Sequence, residues 1–211
     1  MTTTEVCETF VSIQGESTYS GFSCFFVRLS GCNLSCAYCD TPQARTPGAH
    51  VSIQSIVDDC LASRATIAEI TGGEPLLQPG FVELAVALRD KTGKKVLVET
   101  NGSQDLSIIP EGVIAIMDVK TPGSGMSYAM NMDNLARLRP YDEVKFVLAD
   151  PSDYKWAKAI VIERNLHTAC HAVLFGTASA SVPHDLLAQW IIDDGLPVRL
   201  HAQMHRLIGV K

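Results

Sequence analysis

The strongest constraint on the fold is a recurrence of short, largely apolar runs, most of which give way to a helical pattern. The runs fall at residues 24–29, 66–71, 95–100, 113–119, 143–148, 171–175 and 198–201, and the helical patterns at 53–63, 81–91, 133–138, 152–164 and 183–193. A strand that is apolar throughout is covered on both faces, and its alternation with helices leads to a parallel sheet with helices on one outer face. Gly93 is placed to stop the second helix, Ser152 to cap the fourth and Gly195 to end the fifth. The stretch 101–112 is too short and too rich in turn residues for a full crossover helix. Six or seven strands with some reduced crossovers predict an α/β fold, an open partial (β/α) barrel rather than a closed eightfold one. No repeat, low-complexity tract or linker interrupts the chain, so residues 1–211 read as one domain.

Polar residues collect where these strands end: Arg28 and Ser30, then Thr71 and Glu74, then Glu99, Thr100 and Asn101, then Asp118 and Lys120. The carboxyl-terminal rim of an α/β barrel is where sites are built. Arg28 interrupts an apolar run, so its charge is buried and needs a partner. That partner is either an internal carboxylate or a bound one held in the guanidinium fork. A net charge of −6 argues against a nucleic-acid partner bound by phosphate neutralisation. No stretch approaches the roughly 20 apolar residues of a membrane span. The first residues lack the basic and then apolar run of a signal peptide, which predicts a cytoplasmic protein.

Of seven cysteines, three fall within eight residues, in Gly31-Cys32-Asn33-Leu34-Ser35-Cys36-Ala37-Tyr38-Cys39-Asp40-Thr41. Clustered thiols in a reducing compartment read as metal ligands or redox groups. Cys7, Cys24, Cys60 and Cys170 read instead as small buried apolar side chains. Three thiolates suit three irons of a 4Fe–4S cubane and leave the fourth iron open. Structural zinc is the alternative; it wants a fourth ligand, and the nearest histidine is His50.

CxxxCxxC with an aromatic before its last cysteine resembles the radical S-adenosylmethionine superfamily, and Thr71-Gly72-Gly73-Glu74-Pro75 resembles its GGE segment. The two glycines would let backbone carbonyls approach a ligand, and Glu74 would offer a charge to an ammonium. The resemblance narrows to the 7-carboxy-7-deazaguanine synthase family. Thr9-Phe10-Val11-Ser12-Ile13-Gln14-Gly15-Glu16-Ser17 is similar to its TxQGEG opening, Phe26–Cys32 to its FxRLxGC, Cys39-Asp40-Thr41 to its CDT, and Gln203-Met204-His205 to its QxHK.

This resemblance implies an open (β/α)6-type radical-SAM barrel that converts 6-carboxy-5,6,7,8-tetrahydropterin to 7-carboxy-7-deazaguanine, a step toward queuosine. It implies a 4Fe–4S cluster on Cys32, Cys36 and Cys39, S-adenosylmethionine, and a magnesium ion on Thr41. Contacts to S-adenosylmethionine would come from Tyr38, Cys39, Asp40, Gly73, Glu74, Glu99, Asn101, Asp118, Val119 and Lys120. Contacts to the pterin would come from Ile13, Gln14, Gly15, Glu16, Arg28, Thr71, His205 and Lys211, with Arg28 on its carboxylate. A flavodoxin-type reductant and a homodimer are implied as well.

Three departures stand out. Ser17 replaces the usual glycine of QGEG, Arg206 replaces the lysine of QxHK, and the region 171–181 lacks the glutamine that related chains place after this strand. Two other functions share parts of the pattern. A glycyl-radical activase would show an open face for a protein partner and no carboxylate-binding site. A non-catalytic metal-binding scaffold would purify colourless with one zinc.

Overall fold

Seven parallel strands follow the apolar runs, and two antiparallel strands extend the sheet at one edge. The computed structural model describes residues 2–178 and 181–211. Strands β1 (Thr3–Ile13), β2 (Ser23–Leu29) and β3 (Ala49–Ser52) precede helix α1 (Ile53–Ala62). Next come β4 (Ile67–Gly72), α2 (Phe81–Thr92), β5 (Lys95–Thr100), β6 (Val113–Val119), β7 (Glu143–Leu148), α3 (Pro151–Glu163) and α4 (Leu166–Ala169). The chain continues through β8 (Ala172–Thr177), α5 (His184–Asp193), β9 (Arg199–Leu200) and α6 (Met204–Ile208). The spatial order is β3-β1-β2-β4-β5-β6-β7-β8-β9. Every pair from β2 onward is parallel, whereas β1 pairs antiparallel with both β2 and β3.

Alternation along the strands divides the protein into two apolar layers and a polar one. Outward residues such as Phe25, Val27, Ile70, Val98, Met117, Val119, Phe146 and Phe175 pack with Ile56, Phe81, Leu84, Leu88 and Tyr154 of the helices. Inward residues at the strand starts, Cys24, Phe26, Ile67, Leu97, Ile114 and Ile116, form a second cluster with Phe10, Tyr19 and Tyr141. One pleat further along the same inner face stand Arg28, Glu69, Glu99, Asp118 and Lys145. The apolar cluster is therefore a floor, and the charged tier lies directly on it.

Several local expectations differ from what forms. Strand β1 mixes charged, polar and apolar residues because it is antiparallel and lies near the sheet edge, so no continuous apolar run marks it. The helical pattern at 133–138 forms not an α-helix but a 3-10 helix, Met132–Ala136, begun by the Asn131 side chain. Helix α3 is capped not by Ser152 but by Asp150, whose carboxylate accepts from the N–H groups of Ser152 and Asp153 at 2.7 and 3.0 Å, with Pro151 in the first turn. Cys24, Cys60 and Cys170 are buried as expected, but Cys7 is only half-buried.

Candidate active site

The cysteine loop leaves β2 and is tied down across the barrel mouth. Tyr38 donates its hydroxyl to the Val147 carbonyl at 2.9 Å, the Ala37 N–H bonds Ser124 O at 3.0 Å, and Asn33 donates to Ser103 Oγ at 2.9 Å. Burial pushes the Tyr38 hydroxyl up to about 12, so it acts as a neutral donor. The base of the loop is set by Gly72, the last residue of β4, and by Gly73 after it. Gly72 takes φ 144°, which a side chain rarely adopts. A Cβ on Gly73 would run into the Gly31 carbonyl and lie 2.9 Å from Cys32 Cβ. The Glu74 N–H closes the contact on Gly31 O at 2.8 Å. Only glycine lets these two loops pack so closely.

Cys32, Cys36 and Cys39 are free thiols opening on one cavity. Burial raises the Cys36 thiol, with Lys120 acting in the opposite direction. Among the described residues no three His, Cys, Asp or Glu side chains converge as they would on one metal ion. The donor set is three soft thiolates on a short loop beside a glycine cradle, which suits a cluster with one open iron better than a closed tetrahedral zinc site. Thr41 donates its hydroxyl to Asp40 Oδ1 at 2.9 Å, and two oxygens at the cavity edge match the preference of magnesium.

The same cavity is lined by Tyr38, Asp40, Thr41, Gly73, Glu99, Asn101, Asp118 and Lys120, and by Ile13, Gln14, Gly15, Glu16, Arg28, Thr71, His205 and Lys211. Residues from both ends of the sequence thus face those from its middle. Two expected contacts stand apart. Glu74 is fully buried outside the cavity lining, and its oxygens accept from Thr100 Oγ1 at 2.7 Å, the Asn101 N–H at 2.6 Å and the Leu76 N–H at 3.1 Å. Its carboxylate is used to join β4 to β5 and to cap a short turn. Val119 points into the helical layer, because on β6 it alternates with the inward Asp118. Of the region 171–181, Gly176, Thr177 and Ala178 line the cavity, while positions 179 and 180 lie outside the described residues.

Arg28 has an internal carboxylate partner and also faces the cavity. Its Nε donates to Glu8 Oε1 at 3.0 Å, and the guanidinium lies 5.7 Å from the Phe10 ring centroid. Among the described residues its two terminal nitrogens make no hydrogen bond, and the residue lines the cavity. At the sequence ends, Gly15 abuts His205 so closely that a Cβ would fall 2.6 Å from the His205 nitrogen. Gln203 donates to Glu16 Oε1 at 2.7 Å, and Met204 N–H bonds Gly15 O at 2.8 Å. Ser12 Oγ donates to Lys211 O at 2.6 Å.

The departures have physical readings. Ser17 sits at φ 59°, the left-handed region that glycine enters at no steric penalty. Its hydroxyl oxygen accepts the Tyr19 N–H at 3.1 Å. Arg206 pairs with Asp40 at 2.9 Å, joining α6 to the cysteine loop.

The charged tier contains residues that no motif singled out. Lys145 Nζ contacts Glu16 at 2.6 Å, Glu99, and Asp118 at 3.5 Å, while Lys120 holds Asp118 at 2.8 Å. Burial opposes charge on Lys145, but Glu16, Glu99 and Asp118 together hold its ammonium well above the ordinary lysine range. Burial likewise opposes ionisation of Glu16, and Lys145 overcomes it, leaving the carboxylate well below its ordinary range. His201 accepts the Ser17 N–H at 3.0 Å, and burial lowers it to about 4, so it is neutral in that role. The signal for Lys145 and Glu69 was the one that marked Arg28, a charge inside an apolar run.

A parallel open barrel with a three-cysteine loop at its carboxyl rim, closed against a double glycine, defines a radical S-adenosylmethionine protein. The Radical SAM superfamily model matches residues 26–119, from β2 to the end of β6. Two curated relatives, both 7-carboxy-7-deazaguanine synthases, align along nearly all of the chain. That of Koribacter versatilis is 39% identical, covering 97% of this chain and 96% of that protein. That of Chlorobaculum tepidum is 40% identical, covering 96% and 93%. The chain belongs to the 7-carboxy-7-deazaguanine synthase family. Among solved structures it is similar to QueE from Escherichia coli, with a TM-score of 0.75 at 23% identity over 96% of this chain and 95% of that one. It is more distantly similar to Streptococcus suis SuiB bound to precursor peptide SuiA, with a TM-score of 0.56 at 12% identity over 80% of this chain and 46% of that one.

Proposed function

We infer that this chain is a 7-carboxy-7-deazaguanine synthase, a radical S-adenosylmethionine lyase. It contracts the ring of 6-carboxy-5,6,7,8-tetrahydropterin with loss of ammonia, on the way to queuosine and other 7-deazapurines. The observation that carries this reading is the meeting of Gln14–Glu16 and Gln203–His205 over the cysteine loop in one cavity. When bound, the cluster and S-adenosylmethionine supply the radical that takes a hydrogen from the substrate.

The chain's own residues bind and orient. Cys32, Cys36 and Cys39 hold the cluster, and the backbone at Gly72 and Gly73 admits the methionine end of S-adenosylmethionine. Glu99 and Asn101 are placed for the ribose, and Asp118 and Lys120 for the adenosine side. Arg28 takes the substrate carboxylate, while Gln14, Glu16, Thr71 and His205 surround the heterocycle. The whole chain works as one domain in the cytoplasm, as a homodimer served by a flavodoxin-type reductant. An anaerobic assay of the reconstituted protein with carboxytetrahydropterin, S-adenosylmethionine, magnesium and dithionite tests the activity. A protein with full iron content that forms no 7-carboxy-7-deazaguanine would refute it.

Arg28→Lys separates the two roles of that residue. Lysine keeps a charge for Glu8 but loses the fork that grips two carboxylate oxygens. A lost charge-assisted bond of about 1.5–3 kcal/mol weakens substrate binding roughly tenfold to a hundredfold, with S-adenosylmethionine binding retained. Equal substrate affinity in variant and wild type would assign Arg28 to Glu8 alone.

Magnesium belongs to the same reading, with the Thr41 oxygen as the protein's share and substrate oxygens and waters filling the octahedron. Magnesium then raises turnover, Thr41→Ala loses most of that stimulation, and Thr41→Ser keeps much of it. The test is a magnesium titration of initial rates on the three proteins, and superimposable curves would end the assignment.

A further inference from the structure

Glu69 is the carboxyl group of the charged tier that has no cation of its own. It stands on β4 between Ile67 and Thr71 on the inner face, is 3% exposed, and lines the cavity. Lys145 serves Glu16 and Glu99, and Lys120 serves Asp118. No lysine, arginine or histidine among the described residues lies within ion-pair distance of Glu69. Its one hydrogen bond there comes from the Gln14 side-chain amide to Oε2. Oε1 has no partner among these residues, although the residue sits just above the apolar floor of Phe26 and Leu97.

A carboxyl removed from bulk water without a cation lowers stability, and an apolar side chain of similar size would serve the fold better. Burial, with Glu99 and Glu16 close by, pushes the group well above the ordinary glutamate range, and N–H donors arriving from a ligand favour its ionised, accepting form. Its orientation is nevertheless fixed. Gln14 is itself pinned, because its Oε1 accepts the Glu16 N–H at 2.9 Å and its nitrogen holds Glu69. An acceptor open to the cavity and fixed in direction is what a ligand's N–H donors require.

The pterin of the proposed reaction carries such donors side by side, an amino group on C2 and the neighbouring ring N–H. Resting on that reading of the activity, we propose that Glu69, held by Gln14, accepts these donors and selects a 2-amino heterocycle over its 2-oxo counterpart. Glu69→Gln tests this because it keeps shape and packing while replacing one acceptor oxygen with a donor.

The experiment compares the reconstituted wild-type enzyme and Glu69→Gln on carboxytetrahydropterin and on the analogue with a 2-oxo group, alongside iron content and S-adenosylmethionine binding. The wild type strongly prefers the pterin, since a site built to accept an N–H rejects a group that cannot donate one. In Glu69→Gln the KM for the pterin rises at least about tenfold. The kcat/KM ratio of pterin to analogue falls by a larger factor, because the new amide donates to the 2-oxo group. Glu69→Asp retains the wild-type preference at a lower rate, which separates selection from folding should the glutamine variant lose iron. An unchanged ratio in Glu69→Gln overturns the proposal, as does equal loss on both substrates or an aspartate variant without preference. A wild type that converts the pterin while Glu69→Gln matches it sinks Glu69 alone. A wild type that converts neither compound sinks the reading of the activity as well.

Discussion

Alanine at Cys32, Cys36 or Cys39 abolishes both the brown iron–sulfur chromophore and turnover, while leaving the apoprotein folded. Reconstituted wild type carries about four irons and four sulfides per chain, as a cubane requires. Each of the three thiols would ligate a different iron, so losing one would leave an iron without a protein ligand. None of the three side chains is fully buried, and their loss costs the fold little beyond the roughly 0.5 kcal/mol of an ordinary surface substitution. Cys24 and Cys60, by contrast, are fully buried in apolar layers. Alanine at either lowers the thermal midpoint but spares the cluster. Iron and sulfide analysis beside thermal melts of the five variants resolves the two groups. Loss of iron in a folded Cys60→Ala protein would overturn the ligand assignment.

Lys145→Met produces the largest effect expected outside the cysteines. The side chain is 5% exposed and contacts Glu16, Glu99 and Asp118. Methionine fills a similar volume but leaves carboxylates buried without this cation, and breaking such a pair costs about 3–5 kcal/mol. In a chain of this size the midpoint falls on the order of 10 °C. Glu16 belongs to the loop that meets Gln203, so the substrate KM rises as well. Adding Glu16→Gln to Lys145→Met removes one uncompensated charge and recovers part of the lost midpoint. A double variant no more stable than Lys145→Met would place the cost elsewhere.

Much of this protein can be read from its residues, for identifiable reasons. The parallel strands are legible because strands between helices and a filled barrel floor are nearly all apolar. The cysteine loop and double glycine are legible because their chemistry lies within a few neighbouring positions. Strands β1 and β3 are not, since antiparallel edge strands carry mixed residues. Lys145 and Glu69 were hidden inside runs read as apolar, although each breaks its run as Arg28 does. His201 could not be assigned because its partner, the Ser17 N–H, is distant in sequence. Glu74 stands in a motif that is local and legible, but the contacts of its carboxylate with Thr100, Asn101 and Leu76 are not, since the tertiary structure brings β4 and β5 together.

The pairing of Gln14–Glu16 with Gln203–His205 carries a consequence for how the enzyme is made. Translation delivers residues 28–120, with the cysteine loop, both glycines and the rim of β5 and β6, well before the segment 201–211. The cysteine loop and the strands around it are therefore complete before the segment that walls the other side of the cavity has been synthesised. The cysteine loop can therefore form before the substrate chamber closes, and in the finished molecule the Arg206–Asp40 pair partly covers it.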